Sequence, residues 1–187
     1  MEIEATVIPG ALIIKPKVFG DDRGFFYETW NLQRYRDSGI NEDFVQDNLS
    51  YSQRGVLRGM HLQNPNAQGK LVQVLQGEVF DVAVDIRRGS PAYGKWVGVE
   101  LSNDNKRQFY VPPGCAHGFC VTSETALFSY KCTDQYNPEA EVSVLWDDPD
   151  IGIQWPLSDP LLSEKDRLAT RLRDLPVDRL LSFSPER

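Results

Sequence analysis

Apolar and polar residues alternate along most of this chain in short runs with a period of two. Such a period marks strands, because successive side chains of an extended segment point to opposite faces. The runs FVQDNLSYS, GVLRGMHLQ, KLVQVLQG, EVFDVAVDI, KWVGVEL, RQFYVPPG, HGFCVTS, ALFSYKCT and EVSVLWDD follow one another between residues 44 and 148, broken by Gly, Pro, Asn and Asp. Their near-regular spacing predicts a β-sandwich or barrel. In VFDVAVDI, Phe80, Val82, Val84 and Ile86 take one face, and Val79, Asp81, Ala83 and Asp85 the other. The second face is half apolar, as in a barrel interior that holds a polar ligand.

Upstream, ATVIPGALIIKPKVF reads as two apolar pieces parted by Pro9-Gly10. GDDRG (20–24) reads as a turn and FFYETW as an aromatic strand. NLQRYRDSG predicts a short helix with Asn31 as N-cap and Gly39 at its end. Downstream the period changes. In DPLLSEKDRLATRLRDLP, Leu161, Leu168 and Leu172 stand near helical spacing before Pro176, which predicts a helix from about Glu164 to Arg173. The pattern as a whole predicts an all-β, jelly-roll-like barrel or sandwich with short peripheral helices. It would be a single domain over 1–187, with the jelly roll at about 1–155 and a C-terminal helical segment at about 160–187.

Composition narrows the partners. The chain has 187 residues, 41% hydrophobic and 25% charged, with a net charge of −7. A general nucleic-acid or anionic-membrane surface wants a basic patch, so neither partner is expected. An anionic ligand has to be held by a few placed cations against an unfavourable overall field. No apolar run approaches the roughly 18 residues of a membrane span. The start MEIEATVIPG lacks a cationic leader followed by an apolar core. Three cysteines (Cys115, Cys120 and Cys132) include no C-x-x-C pair, which favours reduced thiols and a cytoplasmic setting.

The candidate chemistry gathers around the two histidines. Arg58 and His61 lie in one apolar run, and Lys70 opens the next. Strict alternation puts Arg58 and His61 on opposite faces. Both face one cavity only if the strand is bulged or sharply twisted, and Gly59 between them permits that. A lone histidine is ordinarily a core imidazole bonded to backbone. Three basic groups in one short region of an acidic protein suggest an anionic or carbonyl ligand instead. His117 follows the PPG turn, at a strand mouth. Lys70 reads either as a solvated strand end or as half of a buried pair with Asp81. Tyr130 reads by itself as a core aromatic. SEKD is a capping box with Ser163 as N-cap, so Asp166 has a structural explanation of its own. G-x-H-x-Q around His61 and PPGCAHGF resemble the two short motifs of the cupin jelly rolls. The metal-binding cupins place a second histidine where Gln63 stands, and Lys70 is a poor neighbour for a divalent cation. No metal is expected.

Six motifs in order, GDDRGFFYETW, FVQDNLSYSQRGVLRGMHLQ, QGKLVQVLQGEVFDVAVDIR, YVPPGCAHGF, YKCTDQY and LSEKD, make the chain resemble the dTDP-4-dehydrorhamnose 3,5-epimerases from about Ile8 to Asp166. The resemblance implies a cofactor-independent isomerase acting on a dTDP-4-keto-6-deoxy sugar in dTDP-L-rhamnose biosynthesis. The hydrogens on C3 and C5 are acidified by the C4 ketone. A base on one face, an acid on the other and positive charge at the ketone oxygen invert each centre through an enolate. By resemblance His61 is the base, Asp166 its carboxylate partner, Lys70 the enolate-stabilising cation with Asp81 as partner, and Tyr130 the opposing acid. Arg23, Glu28, Gln46, Asn48, Arg58 and His117 match substrate-binding positions, with Arg23 and Arg58 suited to the diphosphate. Phe19 and Phe26 match thymine or sugar contacts. Members of the family are typically homodimers in which the N-terminal segment adds to the partner's sheet, so that Arg23 or Phe19 serves the neighbour's site. Four readings compete with the two-centre epimerase: a single-centre 3- or 5-epimerase, a ketoisomerase, a non-catalytic sugar-nucleotide-binding cupin, and a metal-dependent cupin enzyme.

Overall fold

The computed structural model describes residues 1–185. Thirteen strands run in chain order: β1 (Glu2–Ala5), β2 (Leu12–Lys15), β3 (Phe19–Asp21), β4 (Gly24–Phe26), β5 (Gln46–Gln53), β6 (Leu57–Gln63), β7 (Lys70–Gln76), β8 (Glu78–Asp85), β9 (Trp96–Ser102), β10 (Gln108–Val111), β11 (Cys115–Val121), β12 (Thr125–Cys132) and β13 (Glu141–Ser143). Two short helices join them, α1 (Leu32–Arg36) and α2 (Glu164–Arg167). One sheet has the order β1-β2-β10-β7-β12-β5 and the other β13-β6-β11-β8-β9, while β3 and β4 form a separate hairpin. Every paired strand is antiparallel.

The sheets face each other across one apolar layer. Val72, Val74, Phe109 and Phe128 from the six-stranded sheet meet Val79, Ala83, Leu101 and Phe119 from the five-stranded one. This is the jelly-roll sandwich of the cupin-like folds. Both outer faces are also partly covered. Beyond the five-stranded sheet, Val82, Val84 and Ile86 pack under Ile151, Ile153, Leu172 and Leu180 of the C-terminal segment. Beyond the six-stranded sheet, Leu71 and Tyr110 pack under Trp30, Tyr35, Ile40 and Phe44. The two faces of β8 therefore serve two cores, which is why its polar face reads as half apolar. Strand β11 is buried along its whole length for the same reason.

The helix over 31–39 forms as expected. Asn31 accepts from the Arg34 N–H, and the chain leaves through Gly39 at φ +94°. The helix expected over 164–173 does not. It is a single turn, Glu164–Arg167, capped by Ser163. Thr170 then bridges Val144, and the Leu145 N–H donates to the Thr170 carbonyl at 2.9 Å. The Leu172 N–H is taken by Asp148 Oδ2 at 2.7 Å, opening a 3-10 turn over Leu172–Asp174. These bonds hold the backbone extended over the outer sheet. The three leucines share no buried face: Leu161 bridges Val56 through its backbone and is exposed, Leu168 is exposed, and Leu172 is buried. The expected helical segment over 160–187 is thus an extended strap with short turns over its described part. FFYETW likewise contributes only its first two residues, to β4.

The bulge that placing Arg58 and His61 together requires is present. On β11, Phe119 pairs with Arg58 and His117 with His61, so the register shifts there. Gly59, at φ +141°, occupies the bulge. A β-carbon built on it would lie 2.5 Å from the Gly118 Cα. A residue with a β-carbon fits neither that conformation nor that gap. We predict that Gly59→Ala lowers stability by about 2 kcal/mol or more, measured by chemical denaturation. A loss below a few tenths would mean the strand relaxes freely.

Candidate active site

A cavity of about 640 Å³ opens between the sheets and is lined by Arg58, His61, Lys70, His117, Tyr130 and Asp166 among others. A smaller cavity of about 260 Å³ shares His61, Lys70 and Tyr130 and adds Gln46, Asn48, Tyr136 and Glu141. Five of these groups arrive on five different elements. Strand β6 carries His61, the first residue of β7 is Lys70, β11 carries His117, β12 carries Tyr130, and the single turn α2 carries Asp166.

His61 Nε2 lies 2.5 Å from Asp166 Oδ1. A proton on Nε2, donated to that carboxylate, leaves the ring lone pair on Nδ1. Ser163 Oγ also accepts the Asp166 N–H at 3.1 Å. The cap and the histidine contact therefore coexist, because the cap uses the backbone of Asp166 and the histidine its carboxylate. Burial pushes the Asp166 carboxyl up, but the hydrogen bond and charge of His61, helped by Ser163 and Lys165, bring it net below the ordinary carboxylate range.

Asp81 differs from expectation. Its fully buried carboxylate accepts from His117 Nε2 at 2.9 and 3.0 Å. Among the described residues Lys70 makes no ion pair with it. The sheet order explains the switch. Strand β11 lies beside β8, and His117 stands opposite Ala83, whereas Lys70 comes from the facing sheet. Burial holds the Lys70 ammonium below its ordinary range, opposed by the nearby Cys132, Asp81 and Glu141. Burial raises the Asp81 carboxyl, and His117 and Lys70 partly offset this. Tyr130 is also held above its ordinary value by burial, so its hydroxyl keeps its proton at neutral pH.

The remaining expected residues divide. Gln46 and Asn48 line the smaller cavity, joined by a hydrogen bond of 2.9 Å, and Gln46 Oε1 accepts the Tyr136 N–H. Arg58 reaches the main cavity with Nε donating to Ser52 Oγ at 3.1 Å. Arg23, Phe19 and Phe26 do not join them. They sit on the exposed β3–β4 hairpin, where Arg23 pairs with Asp21. Glu28 pairs with Arg34 and accepts from Asn31. Two residues were not anticipated. Glu141 Oε1 lies 4.0 Å from His61 Nε2, and the same carboxylate takes Lys165 and the Tyr136 hydroxyl. In AEVSVLW, Glu141 looks like any strand-edge charge, and Lys165 is lost inside the capping box. Among the described residues no group of three His, Cys, Asp or Glu converges to hold a metal, and no helix is long and apolar enough to cross a membrane.

The Asp166 bond makes a signed prediction. A carboxyl held below its unfolded value of about 3.9 stabilises the fold above that value, and the stabilisation is lost as pH falls through the lower folded value. Asp166→Asn should cost about 1–3 kcal/mol at neutral pH. The gap to the parent should close as the pH falls below the ordinary carboxylate range. Unfolding curves taken across pH check both parts. A gap that stays constant with pH would mean that the loss does not come from the carboxylate's charge.

The family model described as dTDP-4-dehydrorhamnose 3,5-epimerase matches residues 5–174. A Pseudomonas aeruginosa protein of that name is 54% identical over 176 residues, covering 93% of this chain and 97% of its own. One from Methanothermobacter thermautotrophicus is 52% identical over 175 residues, covering 92% and 95%. A crystal structure of dTDP-6-deoxy-D-glucose-3,5-epimerase from Legionella pneumophila, in complex with dTDP-4-keto-L-rhamnose, is 54% identical. It superposes with a TM-score of 0.95 over 98% of both chains.

Proposed function

The chain belongs to the dTDP-4-dehydrorhamnose 3,5-epimerase family, and from that premise we propose that it inverts C3 and C5 of dTDP-4-dehydro-6-deoxy-D-glucose, giving dTDP-4-dehydro-L-rhamnose. It is an isomerase, and its reaction moves protons only. The observation that carries this reading is the His61–Asp166 contact of 2.5 Å on a cavity that also receives Lys70 and Tyr130.

His61 takes the proton α to the ketone, and Asp166 stabilises the imidazolium that results. The electron pair moves to the C4 oxygen, where the Lys70 ammonium meets the developing enolate. Tyr130, kept protonated by burial, returns a proton from the opposite face. Arg58 takes the diphosphate, with Gln46 and Asn48 on the sugar side. His117, held by Asp81, donates to the substrate. No metal or cofactor has a step in this scheme.

Arg23, Phe19 and Phe26 act on a second copy. Their exposure on a hairpin away from the chain's own cavity supports a homodimer in which each hairpin completes the partner's site. Three buried, unpaired cysteines support a reducing, cytoplasmic setting.

Proton NMR in D₂O with dTDP-4-keto-6-deoxyglucose tests the chemistry. Exchange at both C3 and C5 with an L-configured product is expected. Exchange at one carbon would make this a single-centre relative, and exchange at neither would leave a binding protein. His61→Ala or Tyr130→Phe should fold normally and cut turnover by about 10²–10⁴-fold. Near-parental turnover in His61→Ala would remove the base assignment. The shared site has its own test. Mixing refolded Arg23→Ala and His61→Ala chains should restore about a quarter of parental activity, because half of the dimers are hybrids and each has one intact site. No recovery would keep the hairpin with its own chain.

A further inference from the structure

A buried carboxylate, Asp81, is bonded to one of two bases that line this cavity. Asp81 has no solvent exposure and gives both oxygens to His117, while Lys70 lines the same cavity without an ion-pair partner among the described residues. The other charged groups around the cavity are balanced locally. His61 on β6 is matched by Asp166 on α2. Lys165 on α2 is matched by Glu141 on β13, which also holds the Tyr136 hydroxyl. Arg58 on β6 is exposed and always charged. Tyr130 and Cys132 on β12 are held neutral by burial. If Lys70 and His117 were both charged, Asp81 would leave one positive charge without a counter-ion in a half-buried cavity, which is disfavoured.

We propose that Lys70, Asp81 and His117 form one proton-accepting cluster that takes up about one proton when a nucleoside-diphosphate sugar fills the cavity. The ligand's anionic oxygens supply the missing counter-charge, and the second base then becomes a charged donor to them. Burial already acts in this direction, lowering Lys70 and raising Asp81. The enzyme would thus acquire the positive charge that stabilises an enolate only when substrate is present. The inference rests on the nucleotide-sugar reading above.

Isothermal titration calorimetry with dTDP-glucose, at about pH 8 in phosphate, HEPES and Tris, reads the proton number from the dependence of binding enthalpy on buffer ionisation enthalpy. Neither the diphosphate diester nor the hydroxyls of this probe titrate near that pH. The expected result is an uptake of about one half to one proton per site. It should be retained in His61→Asn and lost in His117→Gln and in Lys70→Met. An independent readout needs no variant: the parental Kd should weaken by up to about tenfold per pH unit above neutrality. Binding without proton uptake, or uptake lost in His61→Asn and kept in His117→Gln, overturns the proposal. Absence of any binding heat overturns the nucleotide-sugar reading beneath it.

Discussion

Two glycines in van der Waals contact decide where the chemistry sits. Gly59 and Gly118 face each other across β6 and β11 with no room for a β-carbon on either. One built on Gly118 would lie 2.7 Å from Met60 Sδ and 2.8 Å from the Arg58 carbonyl oxygen. That approach lets β6 bulge while its partner stays straight. The bulge turns Arg58 and His61 to the same side. Without it, a seven-residue strand of alternating character would send one of them into the cavity and the other away. The other groups then need only ordinary strands. Lys70, His117 and Tyr130 are placed by their register in two antiparallel sheets, and these sheets are held face to face by the apolar layer between them.

Much of this was legible in the residues. Period-two runs found the strands, and the faces of β8 read correctly because burial on both sides leaves two apolar rows with two aspartates in one of them. Gly59 between two basic residues pointed to the bulge. What stayed hidden depends on neighbours that local sequence cannot name. Asp81 was paired with Lys70 because they are close in sequence, but the sheet order sets His117 beside it. The C-terminal leucines imitate a helix by spacing alone, since only Leu172 of the three is buried. Asp166 looked like a cap and is one, through its backbone. Its carboxylate was free for something the capping pattern does not describe.

The electrostatic arrangement follows from pairing each histidine with one aspartate. Both imidazoles are oriented by a carboxylate more buried than themselves, which fixes which nitrogen carries the proton. The surroundings differ. His61 is partly exposed at the junction of two cavities, with Glu141 a second carboxylate nearby, whereas His117 lies deeper in the cavity that Lys70 also lines. One dyad is placed at the cavity mouth, where a base meets the substrate, and the other deep beneath it, where charge can be held against an anion. A protein of net charge −7 thus gathers its cations where an anion has to stay.

The contact between His61 and Asp166 spans 105 residues of sequence. Synthesis on the ribosome delivers the sandwich first and the strap last. The base, the ammonium and the acid can therefore all be in position while the carboxylate that orients the base is still inside the exit tunnel. A nascent chain of this protein would hold its base in place before it holds the carboxylate that orients it.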